Sequence, residues 1–206
     1  GNQEQAGGVA GRYLRFGSGR GFHYLAIDLA AAYPGCLKTY VRHAVMVGGR
    51  FLVLLDDAEE LGPGRQGFHL RFQTRGTIVP AADAPRAAIR NEGAVLHVLA
   101  SAPSDAAVTQ SKAVLAFVSI RPQVRRRQET FVTVLYPGGL KDPAPAASFT
   151  ASGKRGTLCV ARPGGSADEL VFERTRGRWT LVSVNGASAR KIPSGERQTV
   201  FRVKGK

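Results

Sequence analysis

The sequence predicts an all-β fold: an antiparallel β-sandwich of two long, curved sheets, supersandwich-like in its proportions. Three observations carry that expectation. Short apolar or alternating runs recur at intervals of about ten residues. Glycine and proline, 25 and 11 of the 206 residues, cluster between those runs and mark turns. Helical periodicity is nearly absent, and its best candidate, Asp28 to Ala32, is too short for more than one turn.

The elements follow in order. Within residues 22–57, two strand-like runs flank the turn Tyr33-Pro34-Gly35, and a third, Phe51 to Leu55, ends on the pair Asp56-Asp57. Phe68 to Gln73 alternates strictly between apolar and polar, as a half-solvated antiparallel strand does. Val95-Leu96-His97-Val98-Leu99, apolar but for His97, and Val114 to Val118 are runs that suit strands covered on both faces. Phe131 to Tyr136 is rich in β-branched and aromatic residues and is expected to stop at the turn Pro137-Gly138-Gly139. Leu158 to Val160, Leu170 to Phe172, Trp179 to Val184 and Thr199 to Val203 continue the series. Asn185-Gly186 reads as a type I′ hairpin turn. Lys141 to Ser148, rich in proline and alanine, is expected to be a surface loop. Residues 1–10 are expected to be a disordered or tag-derived leader, and 11–206 a single domain.

Composition narrows the function. Against 29 lysines and arginines stand 15 acidic residues, a formal charge of +14. Such an excess concentrates anionic partners, whether acidic polysaccharide, nucleic acid or anionic lipid. No apolar stretch is long enough to cross a bilayer as a helix, so no membrane partner is expected. The opening segment lacks a signal-peptide pattern, and the compartment stays open. Nucleic-acid binding ranks low, since no interleaved aromatic-basic motif or known reader fold is recognisable. The glycines of residues 17–21 precede no helix and form no phosphate-binding loop. Two isolated cysteines, Cys36 and Cys159, make no zinc motif; Cys159 reads as a buried strand thiol, and no cofactor is expected.

The four histidines stand on separate strands, without the close pairs of a metal site. His43 and His97 lie among valines and leucines and read as hydrogen-bonded core or edge residues. His69 shares a polar strand face with Arg71 and Gln73 and is the histidine best placed to touch a ligand. Asp56 and Asp57 point to opposite faces, so they do not converge as an acid/base pair; arginine partners or a strand-ending turn fit better. Arg125-Arg126-Arg127 reads as a solvated loop before an anion site. Lys38, Tyr40 and Arg42 share one strand face, joined by Arg71 if its strand is a neighbour. With His69 they are the candidate substrate-binding residues. Tyr33 and Tyr40 have two readings, a base beside an arginine or turn and packing residues, and the second is the stronger.

A family resemblance runs through these segments. Asp28, Ala32-Tyr33-Pro34-Gly35, Arg42-His43 and the run from Phe51 to Asp57 occur in the order seen at the start of the C-terminal β-domain of the heparinase II/III family of polysaccharide lyases. Phe68-His69-Leu70, Phe131 to Pro137 and Arg178 to Gly186 resemble later strands of that domain, so the likeness covers most of residues 11–203. It implies an acidic polysaccharide, uronate-containing or sulfated, as partner. It also implies a helical toroid in front of the β-domain, for which this chain has no room, and a bacterial parent that is periplasmic or secreted. The family cleaves by β-elimination, with catalytic tyrosine and histidine near the cleft. Its His-x-His-x-Asp segment is not found here, so no catalytic residue carries over. The expected function is therefore a β-domain that shapes and charges an acidic-glycan cleft. The alternative is a stand-alone anionic-carbohydrate-binding module.

Overall fold

The computed structural model describes residues 11–62, 67–112, 115–188 and 190–191. Along the chain run β1 (Arg12–Gly19), β2 (Phe22–Asp28), a 3-10 turn (Ala30–Ala32), β3 (Leu37–Val47), β4 (Phe51–Glu60), β5 (Leu70–Thr74), β6 (Thr77–Pro80), β7 (Arg86–Asn91), β8 (Ala94–Ala102) and β9 (Ala106–Lys112). They are followed by β10 (Ala116–Pro122), β11 (Gln128–Gly139), β12 (Ala146–Ser152), β13 (Arg155–Ala161), β14 (Ala167–Thr175), β15 (Arg178–Val184), β16 (Ala187–Ser188) and β17 (Arg190–Lys191).

The strands form an antiparallel sandwich built on one wide sheet of nine, in the order β17-β1-β2-β3-β4-β11-β8-β7-β6. A five-stranded sheet, β12 to β16, and a three-stranded sheet, β5-β10-β9, complete it. Adjacent residues of the central strands show how the layers stack. Leu99, Val132 and Val134 pack with Leu158, Leu170, Phe172 and Leu181 of the five-stranded sheet. Their chain neighbours Val98 and Phe131 pack instead with Leu70, Val118 and Ile120 of the three-stranded sheet. Successive strand side chains point to opposite faces. The two smaller sheets therefore cover opposite faces of the wide one, and the sandwich has a third layer that two sheets alone would lack. This double burial explains why Val95, Leu96, Val98 and Leu99 are apolar on both faces of β8, with His97 alone breaking the run.

Several segments depart from expectation for identifiable reasons. The third run does not end at the aspartates; β4 continues through Asp56 and Asp57 to Glu60. Pro137-Gly138-Gly139 is strand, not turn. Pairing of β11 with β4 stops at Leu135, while β8 stays paired through Gly139, so Pro137 sits where one side of the strand has no ladder to interrupt. β12 begins at Ala146, so the loop after Lys141 is shorter than expected. Cys159 alternates outward between the buried Leu158 and Val160 and is exposed, not buried. The hairpin turn holds: Asn185 and Gly186 have φ of 50° and 75° and join β15 to β16. The Thr199 to Val203 run and residues 1–10 lie outside the described residues.

Polar staples close both ends of the larger core. Asp168, 1% exposed, takes Arg50 from the β3–β4 turn at 3.1 Å, Arg162 at 3.1 Å and the Asn185 amide at 2.7 Å. At the other end Asp57 of β4 takes Arg174 of β14 at 3.1 Å, and Trp179 Nε1 donates to Thr130 Oγ1 at 3.3 Å. Between them lies His43, whose Nδ1 is 2.7 Å from the Tyr24 hydroxyl. Burial pushes the imidazole pKa down from 6.5 to about 4.

That shift predicts an acid-sensitive core. The unfolded chain binds a proton at His43 near pH 6.5 and the folded chain resists it until about pH 4. Stability is therefore undiminished above pH 6.5 and falls across that window, by on the order of 3 kcal/mol in all. Urea titrations at successive pH values should show this slope, and His43→Gln should flatten it. An equal slope in the variant would place the acid sensitivity elsewhere.

Candidate functional site

The five candidate residues fall on two separate surfaces. Lys38, Tyr40 and Arg42 lie on β3, in the wide sheet, and Arg71 lies on β5, in the three-stranded sheet, with His69 just before it. The strands of Arg42 and Arg71 are not neighbours, so the condition for Arg71 to join the β3 face is not met.

On β3 the cations are already matched by carboxylates of β4. Lys38, at a bulge in the β3–β4 register, places Nζ 3.0 Å from Glu59 Oε1. Arg42 grips Asp56 as a fork, Nε to Oδ1 at 2.7 Å and its terminal nitrogen to Oδ2 at 3.2 Å. The same terminal nitrogen donates to the Tyr40 hydroxyl at 3.0 Å. Tyr33 packs on Tyr40 with ring centroids 5.6 Å apart. Burial raises the Asp56 pKa, and the Arg42 charge works against that rise. Burial also raises Tyr40 above the usual phenol value, and the Asp56 charge adds to the rise. A phenol so firmly protonated is a poor proton acceptor. The geometry matches the packing reading of Tyr33 and Tyr40. It also supplies the arginine partners expected for the aspartates.

The outer face of the three-stranded sheet is different. Register sets out its rows. Arg71 lies opposite Ser119, which lies opposite Thr109; Gln73 lies opposite Phe117, which lies opposite Ser111. Arg121 lies opposite Ala107 and is diagonal to Arg71. These positions alternate with Leu70, Val118 and Ile120, which the core claims, so they lie on the outer face, where Ser119 itself is buried between its neighbours. His69, Arg71 and Arg121 are exposed. Among the described residues no carboxylate pairs with either arginine. Partial burial lowers the His69 pKa, and the charges of Arg71 and Arg121 lower it further. A concavity of about 540 Å³ opens here, lined by His69, Ala107, Arg121, Pro122 and Gln123. Two unpaired guanidiniums, a neighbouring imidazole, hydroxyl donors and a half-buried phenylalanine can hold oxyanions on a sugar scaffold.

Arg121 was not among the residues singled out from the sequence. Its signal was the alternation Ser119-Ile120-Arg121 directly after the apolar run at Val114 to Val118. The strand β10 begins at Ala116 and is buried from Val118 to Ile120, and the exposed Arg121 that follows shares a face with Arg71.

The Asp105 carboxylate shows how other cations are used up. It pairs with Arg126 at 3.0 Å and accepts from the Val124 amide at 2.8 Å; the Arg126 hydrogen bond is the chief reason its pKa is lowered. Arg126 also reaches Glu129 at 2.9 Å, and Arg125 lies 3.6 Å from Glu60. The Arg125-Arg126-Arg127 run is a loop whose first two charges are tied to the frame.

Solved structures share this architecture. A heparan sulfate lyase, HepC, from Pedobacter heparinus is similar at a TM-score of 0.58 and 16% identity, over 84% of this chain and 27% of that one. A heparinase III structure is similar at 0.56 and 16%, over 80% and 27%. A further heparinase III, with methylated lysines, is similar at 0.55 and 14%, over 74% and 26%. At these identities the likeness is one of fold, and the chain spans about a quarter of the length of those proteins. No protein-family model and no curated protein matches the sequence.

The β3 fork yields a test of structural role. Asp56 is 1% exposed, so removing its partner strands a buried carboxylate. Arg42→Ala should cost about 3 kcal/mol in urea unfolding. The double variant Arg42→Ala, Asp56→Asn should recover part of that loss. A single variant as stable as the parent would show that the fork contributes nothing to the fold.

Proposed function

We propose that this chain is the β-sandwich domain of a heparinase II/III-like polysaccharide lyase, and that it lines and charges one wall of a cleft for acidic polysaccharide. The observation that carries the reading is the outer face of the three-stranded sheet, where Arg71, Arg121 and His69 have no carboxylate partner among the described residues. The shared fold with heparan sulfate lyase and heparinase III structures supports it. An excess of 14 positive charges favours capture of a polyanion at long range. Arginine forks match the geometry of carboxylate and sulfate, and Phe117 offers a ring for an apolar sugar face.

In this reading the described residues bind and orient, and none of them is arranged to move protons. Tyr24 and His43 do hydrogen-bond, at 2.7 Å, but they are 1% and 2% exposed under the five-stranded sheet. No polymer reaches them. Tyr40 is held protonated beside Asp56 and Arg42. β-Elimination would therefore draw its base and acid from another part of a larger protein. The same basic face would serve a stand-alone anionic-glycan-binding module, and only the presence of a catalytic partner separates the two.

Binding to heparin and to uronate oligosaccharides by calorimetry tests this. Affinity should fall steeply as salt rises, because the contacts are exposed charges. Arg71→Ala and Arg121→Ala should each weaken it about fivefold, near 1 kcal/mol. Lys154→Ala, an equal loss of charge on a distant turn, should change it little. Unchanged affinity in both arginine variants, or tighter retention of DNA than of heparin, would defeat the proposal. Release of unsaturated uronate product by the isolated chain would defeat its non-catalytic part.

A further inference from the structure

A second group of cations lies on the opposite side of the molecule, at the β6–β7–β8 end of the wide sheet. Register again sets the rows. Val79, Ala88, His97 and Tyr136 stand side by side across four strands. Arg86 lies opposite Leu99 on one side of that row, and Thr77, Arg90 and Val95 form the next row on the other. Leu99 and Tyr136 face the core beneath the five-stranded sheet, so all these side chains share that face and point away from the three-stranded sheet. The five-stranded sheet stops at its edge strand β12, which packs beside β8. Beyond that edge no described residue forms a further layer over the wide sheet: Val79 and Arg90 are exposed, and Ala88, Arg86 and His97 are half-buried.

The charges on this bare floor are poorly compensated. Arg90 has no carboxylate partner among the described residues. The partner of Arg86 is Asp83 at 3.8 Å, itself 80% exposed and a weak tether. Asp142 also faces the row, but its Oδ2 accepts the Gly139 amide at 2.7 Å. His97 lies between the two arginines, diagonal to both across the β7–β8 ladder. Its Nε2 is shielded from solvent and has no hydrogen-bond partner among the described residues, so it sits under the surface as a spacer. Burial and the Arg86 charge lower its pKa, and Asp142 and Arg90 act in opposite directions. Next to Arg90 a concavity of about 340 Å³ opens, lined also by Arg75, Thr77, Asn91, Glu92 and the half-exposed Leu140, so two arginines and one glutamate share its wall.

We propose that this end of the wide sheet is a second binding site for an acidic sugar unit. Arg86 and Arg90 take its carboxylate or sulfate, and Val79, Ala88 and Leu140 support its ring. The site is distinct from the first. The two sheets are stacked, about 10 Å apart between backbones, and their cationic side chains point in opposite directions. The ligand class rests on the acidic-glycan reading; the site itself rests on its own residues.

Histidine ring resonances distinguish the two sites, because His69 marks the first and His97 the second. In ¹H–¹³C spectra, a short uronate oligosaccharide should move both signals. Arg86→Ala with Arg90→Ala should abolish the His97 shift and leave the His69 affinity within about twofold of the parent's, since the two sites share no residue. Arg71→Ala with Arg121→Ala should do the converse. Arg71, Arg90 and Arg121 are exposed and Arg86 is half-buried, and unchanged amide spectra away from the substitutions establish that each variant is folded. A His97 signal that stays fixed while His69 moves overturns the second site and leaves the first. A His97 shift that disappears with Arg71 and Arg121 also overturns it, since one site would then explain both signals. A His97 shift without a His69 shift supports the second site and overturns the first.

Discussion

Burial of the central strands on both faces is the constraint from which the rest follows. In β11, Phe131 packs against the three-stranded sheet and Val132 against the five-stranded one. Both are 3% exposed or less. A strand with that requirement cannot sit at the rim of a two-layer sandwich. It must be central, with its partners β4 and β8 fixed beside it. A slip of one residue in register would exchange the two cores and mismatch both. The outer strands are covered on one face only, and those bare faces are where ligand-facing residues can stand.

Charge distribution follows from the same geometry. Acidic residues are scarce, and several are spent inside the frame. Asp56, Asp57 and Asp168 each sit at a sheet interface or between strands and draw arginines inward. Glu60 and Glu129 hold the loop after β10 through Arg125 and Arg126. Such pairs fix positions more than they add stability, because desolvation offsets much of their attraction. What remains after this internal matching is a surplus of arginine on the solvent faces. Arg71 and Arg121 collect on one outer sheet, Arg86 and Arg90 on the other exposed floor. The formal charge of the chain thus becomes local fields in places set by strand order.

Much of this architecture was readable from residue alternation. Phe68 to Gln73 announced a one-sided strand, which begins two residues later at Leu70, Val95 to Leu99 announced a two-sided one, and Asn185-Gly186 announced its turn. The errors came where long-range pairing overrode a local signal. Pro137-Gly138-Gly139 carries strong turn chemistry, yet β8 continues alongside it and keeps it extended. Asp56-Asp57 looks like a strand end until Arg42 and Arg174 arrive from distant positions to match each charge. Cys159 has the residue type of a core position, but its neighbours Leu158 and Val160 hold the inward places.

The candidate surface divides along the same line. Periodicity two is a property of one strand, so sequence alone placed Tyr40 with Arg42, and His69 with Arg71, and marked the chain as an all-β, strongly basic molecule. Which strands lie side by side depends on contacts between residues far apart in the chain. Only the tertiary structure separated β3 from β5, joined Arg121 to Arg71, and spent Lys38 and Arg42 on Glu59 and Asp56. A cation's availability is decided by the carboxylate that folding brings to it, and no local pattern encodes that meeting.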